Sequence, residues 1–314
     1  MFGFSKKIAM ARGRVGLCMQ DKHLAIAVVR RDAPGSVVLE RCELLALPEA
    51  GAPDPRAALL RSIGLPRMAV SCALQPSEYQ LITVEAPDVP PAELRAAMRW
   101  RLKDLIDIRI EDATIDVFAV PSQARAAQGK SMYAVAARRA VVEGLSTTLA
   151  EVPLFDVVDI PELCLRNLLA LLPAAAGGVA LLHLGEQTAS VIVVRGNTYY
   201  FSRQMSLRGA VHLDLEAAGP AAEIDAAAVV LELQRSLDYY ERHFDQPPIT
   251  KLVIAPAGAR AEALAAELAR ESGFELSLLD LNTLLRCAMP VPAELQAACL
   301  LAVGAALREE RRSL

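Results

Sequence analysis

Residues Leu181 to Arg203 read LLHLGEQTASVIVVRGNTYYFSR. An apolar strand ends in Gly185-x-x-Thr188 and doubles back into a second strand. A nucleotide site can begin this way, because a small turn lets backbone N–H groups approach a phosphate. A metal-handling carboxylate is expected two residues before the glycine, and the chain carries His183 there. Imidazole is a poor ligand for Mg²⁺, which prefers oxygen. Gly-x-x-Thr also closes ordinary hairpins, so simple turn chemistry accounts for Gly185 and Thr188 as well.

The other chemistry-bearing residues are dispersed. His23, His183, His212 and His243 lie far apart, with no His-x-x-x-His, so no metal site is expected. Cys18, Cys42, Cys72, Cys164, Cys287 and Cys299 form no Cys-x-x-Cys pair and read as free thiols in a reducing compartment. A catalytic pair of Cys18 and His183 lacks an orienting acid and an oxyanion hole, so both read as core-edge residues. Trp100 is the only tryptophan. On a helix from Ala92 to Ile106 it lies almost opposite the apolar face of Leu94, Met98, Leu102, Leu105 and Ile106. Its neighbours there are Arg99, Lys103 and Asp104. Trp100 and Lys103 are candidate anchors for a protein partner. The alternative packs Trp100 between a small subdomain and a larger lobe.

These residues must be positioned by a chain of 314, enough for two domains or one two-lobed domain. Hydrophobic residues make up 54%, which supports a sizeable core. A net charge of −4 excludes a general nucleic-acid binder, which needs a basic face. The most apolar stretch, Leu168 to Leu182, contains Pro173 and Gly177-Gly178 and falls short of the ~20 residues of a membrane span. It reads as a helix, a turn and a buried strand. The carboxy-terminal LQAACLLAVGAAL is also too short. In MFGFSKKIAMARGR, Arg12 and Arg14 interrupt the apolar run that a signal peptide needs, so a cytoplasmic protein is expected. Phe2 and Phe4 beside Lys6 and Lys7 suit either an anionic membrane surface or a disordered tail.

Alternation predicts strands at 15–18, 23–30 and 36–42, then a Pro-rich linker from Pro48 to Pro55. Strands at 67–73 and 79–84 precede the Trp100 helix; strands at 113–120 and 131–137 and a helix at 140–151 follow it. The second half predicts strands at 179–184, 189–195, 198–202 and 251–255, and helices at 225–244 and 260–272. Val230, Leu233, Leu237, Tyr240 and Phe244 form one helical stripe. Two windows align without gaps: Gly16–Arg30, GLCMQDKHLAIAVVR, and Leu181–Arg195, LLHLGEQTASVIVVR. Each holds strand, polar turn and strand, and Asp21 matches Glu186. A duplicated hairpin-led unit predicts two similar lobes whose turns point into a common cleft.

Five further segments carry a resemblance. They are FSRQMSLRG (201–209), LELQRSLDYYERHF (231–244), VVDIPELCLRNLL (157–169), RWRLKDLIDIRIEDATIDVFAVP (99–121) and LLAVGAALRE (300–309). Together they resemble the PilM family of type IV pilus assembly proteins, its MshI (MSHA pilus) branch in particular, and through it the actin-like ATPase fold. The resemblance implies an α/β chain with two actin-like, ribonuclease-H-like duplicated lobes and a small inserted α+β subdomain. Residues 1–85 would begin the first lobe and 86–152 form the insert. Residues 153–314 would form the second lobe and a terminal helix that returns to the first.

The resemblance also implies a cytoplasmic protein at the inner face of the inner membrane. Such a protein holds the cytoplasmic tail of a single-pass pilus partner in a groove beside the insert. It leaves homodimerisation open. ATP and Mg²⁺ are not expected, because three features of the fold's nucleotide site are altered. Asp-Ile-Gly becomes Cys18-Met19-Gln20 in the first turn and His183-Leu184-Gly185 in the second, and a Gly-Gly pair becomes Ala257-Gly258. Gly185, Thr188 and Gly258 are what remains of a vestigial nucleotide cleft. The expected function is a non-catalytic scaffold. The alternatives are an active ATPase using Asp21 or Glu186, and the cytoplasmic domain of a type II secretion linker protein.

Overall fold

A computed structural model describes residues 12–33, 36–48, 54–90, 93–121, 131–152, 154–185, 188–207 and 224–309. Phe2, Phe4, Lys6, Lys7, Ala92, Glu186, Gly209 and His212 lie outside the described residues. The chain opens with β1 (Gly13–Met19), β2 (His23–Ala33), β3 (Ser36–Ala46), α1 (Pro55–Ser62) and β4 (Ala69–Ala73). Next come β5 (Tyr79–Glu85), α2 (Leu94–Leu102), β6 (Ala113–Ala119), β7 (Ser131–Arg138) and α3 (Arg139–Thr148). They are followed by β8 (Phe155–Asp159), α4 (Pro161–Leu169), β9 (Val179–Leu184), β10 (Thr188–Arg195) and β11 (Thr198–Ser206). Then come α5 (Ala226–Phe244), β12 (Lys251–Ala255), α6 (Ala259–Glu271), β13 (Glu275–Leu278), α7 (Leu281–Leu284), β14 (Arg286–Cys287) and α8 (Ala293–Ala306).

Among the described residues there are three sheets, ordered β14-β3-β2-β1-β4-β8, β11-β10-β9-β12-β13 and β5-β7-β6. The first two repeat one design. In each, an antiparallel three-strand meander lies beside two parallel strands. The repeat holds to the residue. Cys18 pairs with Ala25 and Ala73, and His183 pairs with Ser190 and Ala255. Both second strands carry a bulge at the corresponding place, between Val28 and Val29 and between Val193 and Val194. Strands buried on both faces read as apolar runs, which is why VIVV and IAVV mark them so clearly.

One face of each large sheet meets a shared interior built on α4 and α8. α8 packs on β1 to β4, and α4 packs on α8, β10 and β11. The opposite face of the first sheet covers α1 and α3 with Leu17, Leu24 and Ile26. That of the second covers α5 and α6, where all five residues of the α5 stripe are buried. At α8 the contact is backbone to backbone. A Cβ on Gly16 would stand 1.9 Å from the Ala302 carbonyl oxygen, and one on Gly304 would stand 2.3 Å from that of Cys164. Glycine is what lets the helix lie between a strand and another helix at that distance.

Two expectations from the sequence need correction. The Pro-rich linker does not run to Pro55, because Pro55 starts α1. Asp54 caps the helix, accepting from the Arg56 and Ala57 N–H groups at 3.0 Å each, and proline suits the first position. The Trp100 helix ends at Leu102 rather than Ile106. There the Leu105 N–H donates to the Leu102 carbonyl in a tighter turn. That swings Leu105 out to 58% exposure, while Met98, Leu102 and Ile106 stay in the small sheet's core. Among the described residues no helix is long and apolar enough to cross a membrane.

Candidate functional site

The two hairpin turns come first. In the second turn the Gly185 N–H donates to the Thr188 carbonyl at 2.8 Å. A Cβ on Gly185 would meet that same oxygen at 2.8 Å, so the glycine is required by the turn itself. Ala255 pairs with His183, so the loop carrying Ala257 and Gly258 leaves the sheet beside this turn. Gly258 has φ +148 and precedes α6. Two residues on, Arg260 donates to the Gly185 carbonyl. The structure thus brings the expected Gly185, Thr188 and Gly258 together, and it adds Arg260 across them.

The first turn has matching contacts. The Gln20 N–H donates to the His23 carbonyl at 2.9 Å, and Arg56 donates to the Gln20 carbonyl at 3.4 Å. The Gln20 side chain donates to the Ala298 carbonyl of α8 at 3.0 Å. Gln75 donates to the Met19 carbonyl and to the Cys18 sulfur, both at 3.0 Å. Asp21 is exposed. Arg56, Gln75 and Arg260 carried no sequence signal, because their roles rest on contacts 36, 57 and 75 residues away.

Cys18 and His183 both lie on the sheet faces turned to the shared interior, and among the described residues Cys18's side-chain partner is Gln75. Burial pushes the Cys18 thiol up to about 12, against the pull of the Gln75 hydrogen bond, so it is not an anionic ligand. Burial pushes His183 down from 6.5 to about 4. The folded state therefore holds a neutral ring, and the unfolded chain binds the proton first as pH falls. His183 weighs nothing against stability above pH 6.5 and costs up to about 3 kcal/mol as pH drops to about 4. A His183→Leu variant is expected to lose less melting temperature over that window. An unchanged slope would place the acid sensitivity elsewhere.

A second feature is a groove of about 680 Å³ where all three sheets meet. Its walls include Asp116 to Pro121 from β6 onward, Val158 to Ile160 at the end of β8, and Asn197 to Tyr199 at the start of β11. Each of these strands is the outer strand of its sheet. Phe118 and Tyr133 of the small sheet and Tyr199 of β11 form an aromatic trio, with centroids 5.1, 5.2 and 6.1 Å apart. Tyr133 donates to the Tyr200 carbonyl. These contacts tie the small sheet to the second lobe. Asp159, its side chain 1% exposed, binds Arg308 at 2.8 Å and accepts the Ile160 N–H at 3.0 Å. Arg166 donates to the Asn197 carbonyl at 3.2 Å.

Trp100 is 81% exposed, so it is not packed against a lobe. Lys103 is exposed at the end of α2. Neither lines the groove.

Three comparisons bear on this geometry. No family model matches the chain. No curated protein matches it either. Among solved structures, a PilM–PilN type IV pilus biogenesis complex superposes with a TM-score of 0.66 at 21% identity, over 94% of this chain and 98% of that one. A Bacteroides thetaiotaomicron protein with an actin-like ATPase fold and unknown function superposes with a TM-score of 0.50 at 8% identity, over 95% and 98%. The fold is that of the actin-like ATPases. In this actin-like frame the two meanders are the repeated halves, and β5-β7-β6 with α2 lies between β4 and β8. The small sheet takes in Tyr79–Glu85, which the expected insert of 86–152 left out. β8 pairs in the first sheet, although 153–314 was expected to form the second lobe, because strand pairing and not chain order decides the sheets. The cytoplasmic domain of EpsL from Vibrio cholerae is also similar, at a TM-score of 0.45 and 16% identity, too distant to carry an argument.

Proposed function

We propose that this protein is a non-catalytic scaffold of type IV pilus assembly. It holds the cytoplasmic tail of a single-pass inner-membrane partner in the 680 Å³ groove and works at the inner face of that membrane. The observation that carries the reading is the groove itself. Three outer strands wall it, Phe118 and Tyr199 line it, and a similar solved structure is a complex of PilM with PilN. The MSHA-type branch is the finer assignment, resting on the resemblance of the segment 99–121.

The nucleotide side of the reading rests on donors. A Mg²⁺ site needs oxygen ligands near the turns. Here the positions hold a thiol kept protonated and a half-buried imidazole kept neutral. The turn carbonyls are engaged by Arg56 and Arg260, and the first turn is fastened to α8 through Gln20. These residues do not fit Mg-ATP.

Calorimetric titration of the full chain with ATP, with and without Mg²⁺, is expected to give no heat at millimolar nucleotide. Micromolar binding that strengthens with Mg²⁺ would overturn this half of the reading, with Asp21 and Glu186 as the residues to mutate. Titration with synthetic tails of pilus inner-membrane proteins tests the partner half. Trp100→Ala with Lys103→Ala tests a separate partner contact, because neither residue lies in the groove.

A further inference from the structure

One wall of the groove is made by six consecutive residues, Asp116 to Pro121. A strand that shows a face to a cavity contributes every second residue, because its side chains alternate. An unbroken run means that β6 meets the groove edge-on. The β6–β7 ladder tells which backbone groups point there. The Val120 N–H donates to the Ser131 carbonyl at 3.3 Å, and this pair continues the β6–β7 register. In an antiparallel pair, bonded and non-bonded positions alternate. Thr114, Asp116, Phe118 and Val120 therefore turn N–H and C=O toward β7, while Ile115, Val117 and Ala119 turn theirs to the free edge, of which Val117 and Ala119 line the groove.

A side chain supports this assignment. The Asp116 carboxylate accepts the Val117 N–H at 3.1 Å, which is open only to an N–H outside the ladder. Among the described residues nothing pairs with the N–H groups of Ile115 and Ala119, or with the carbonyls of Ile115, Val117 and Ala119. An unpaired strand edge is a template for another strand. This one lies within a groove that also offers Phe118 and Tyr199 to apolar side chains.

Resting on the reading that the groove takes a partner's tail, we propose that the tail enters as an extended strand along β6. It adds a fourth strand to β5-β7-β6, next to Ala119, Val117 and Ile115. Main-chain hydrogen bonds hold the tail and set its register, while every second side chain faces the Phe118–Tyr199 wall. The segment it selects is extended, apolar at alternate positions and free of proline at the bonding positions.

The probes are synthetic 15-residue peptides covering the cytoplasmic tails of the pilus system's single-pass inner-membrane proteins, titrated into the full chain. N-methylation of successive backbone nitrogens of a binding peptide is expected to weaken it about tenfold or more at alternate positions only. Ala119→Pro removes one groove-facing donor, leaves the β6–β7 ladder intact and is expected to weaken the peptide similarly at unchanged melting temperature. If it misfolds, the N-methyl series on the native chain still decides. A flat N-methyl series combined with loss on Phe118→Ala would keep the groove and overturn the strand. If no tail binds at all, the scaffold reading falls and this proposal with it. A dimer of this chain that Ala119→Pro dissolves would also overturn it, naming a second copy as the occupant of the edge.

Discussion

Gly304→Ala is expected to lower stability by about 3 kcal/mol or more, although alanine is the better helix former. The propensity gain is about 1 kcal/mol in an exposed helix. Here the added carbon would stand 2.3 Å from the Cys164 carbonyl oxygen and 2.6 Å from its carbon, both main chain. Two helices would have to separate, and the Asn167 side chain, which donates to the Gly304 carbonyl at 2.9 Å, would move with them. Gly144→Ala in α3 is the control, since nothing lies within 4 Å of its added carbon, and it is expected to gain stability. Thermal melts read the contrast. The loss at Gly304 corresponds to a drop on the order of 5–10 °C in a chain of this size. A rise at both positions would mean that α4 and α8 can part without cost, and that the frame is looser than its packing indicates.

Arg308→Met is expected to cost about 3 kcal/mol by leaving the Asp159 carboxylate buried without its cation. The two side chains are 14% and 1% exposed and 2.8 Å apart. Asp159 ends β8 and Arg308 follows α8, so the pair joins distant parts of the chain in the groove wall. Removing both charges is expected to recover most of the loss, because a buried pair earns little over an apolar replacement while a broken pair is expensive. Arg61 and Glu151, 3.5 Å apart and 54% and 68% exposed, are expected to contribute under 1 kcal/mol. Chemical denaturation of the two single variants and the double variant checks the cycle. A double variant as unstable as the singles would mean that the partners act separately.

The duplicated hairpin was legible because its signal is local. Strand, turn and strand occupy fifteen residues, and the gap-free alignment of GLCMQDKHLAIAVVR with LLHLGEQTASVIVVR matches the two hairpins observed, with the bulges found in the structure falling at aligned positions. The α5 stripe was legible for the same reason. The end of α2 was not, since a run of good helix formers hides a turn that only the packing of Ile106 and Ile108 requires. Trp100 shows the limit from the other side. Its angular position on α2 was plain, but whether a lobe covered it depended on the neighbours.

The sequence by itself determined that this chain makes two like halves with altered turns, because alternation, turn residues and apolar periods act over a few residues. It also determined that a thiol and an imidazole stand where carboxylates were expected. Only the tertiary structure decided what surrounds them. The arginines on the turn carbonyls, the fastening of Gln20 to α8, the backbone contacts of Gly16 and Gly304 and the convergence of three outer strands all join residues far apart in the chain. Such contacts leave no periodic trace, since each is fixed by where whole elements come to rest and not by the residues beside it.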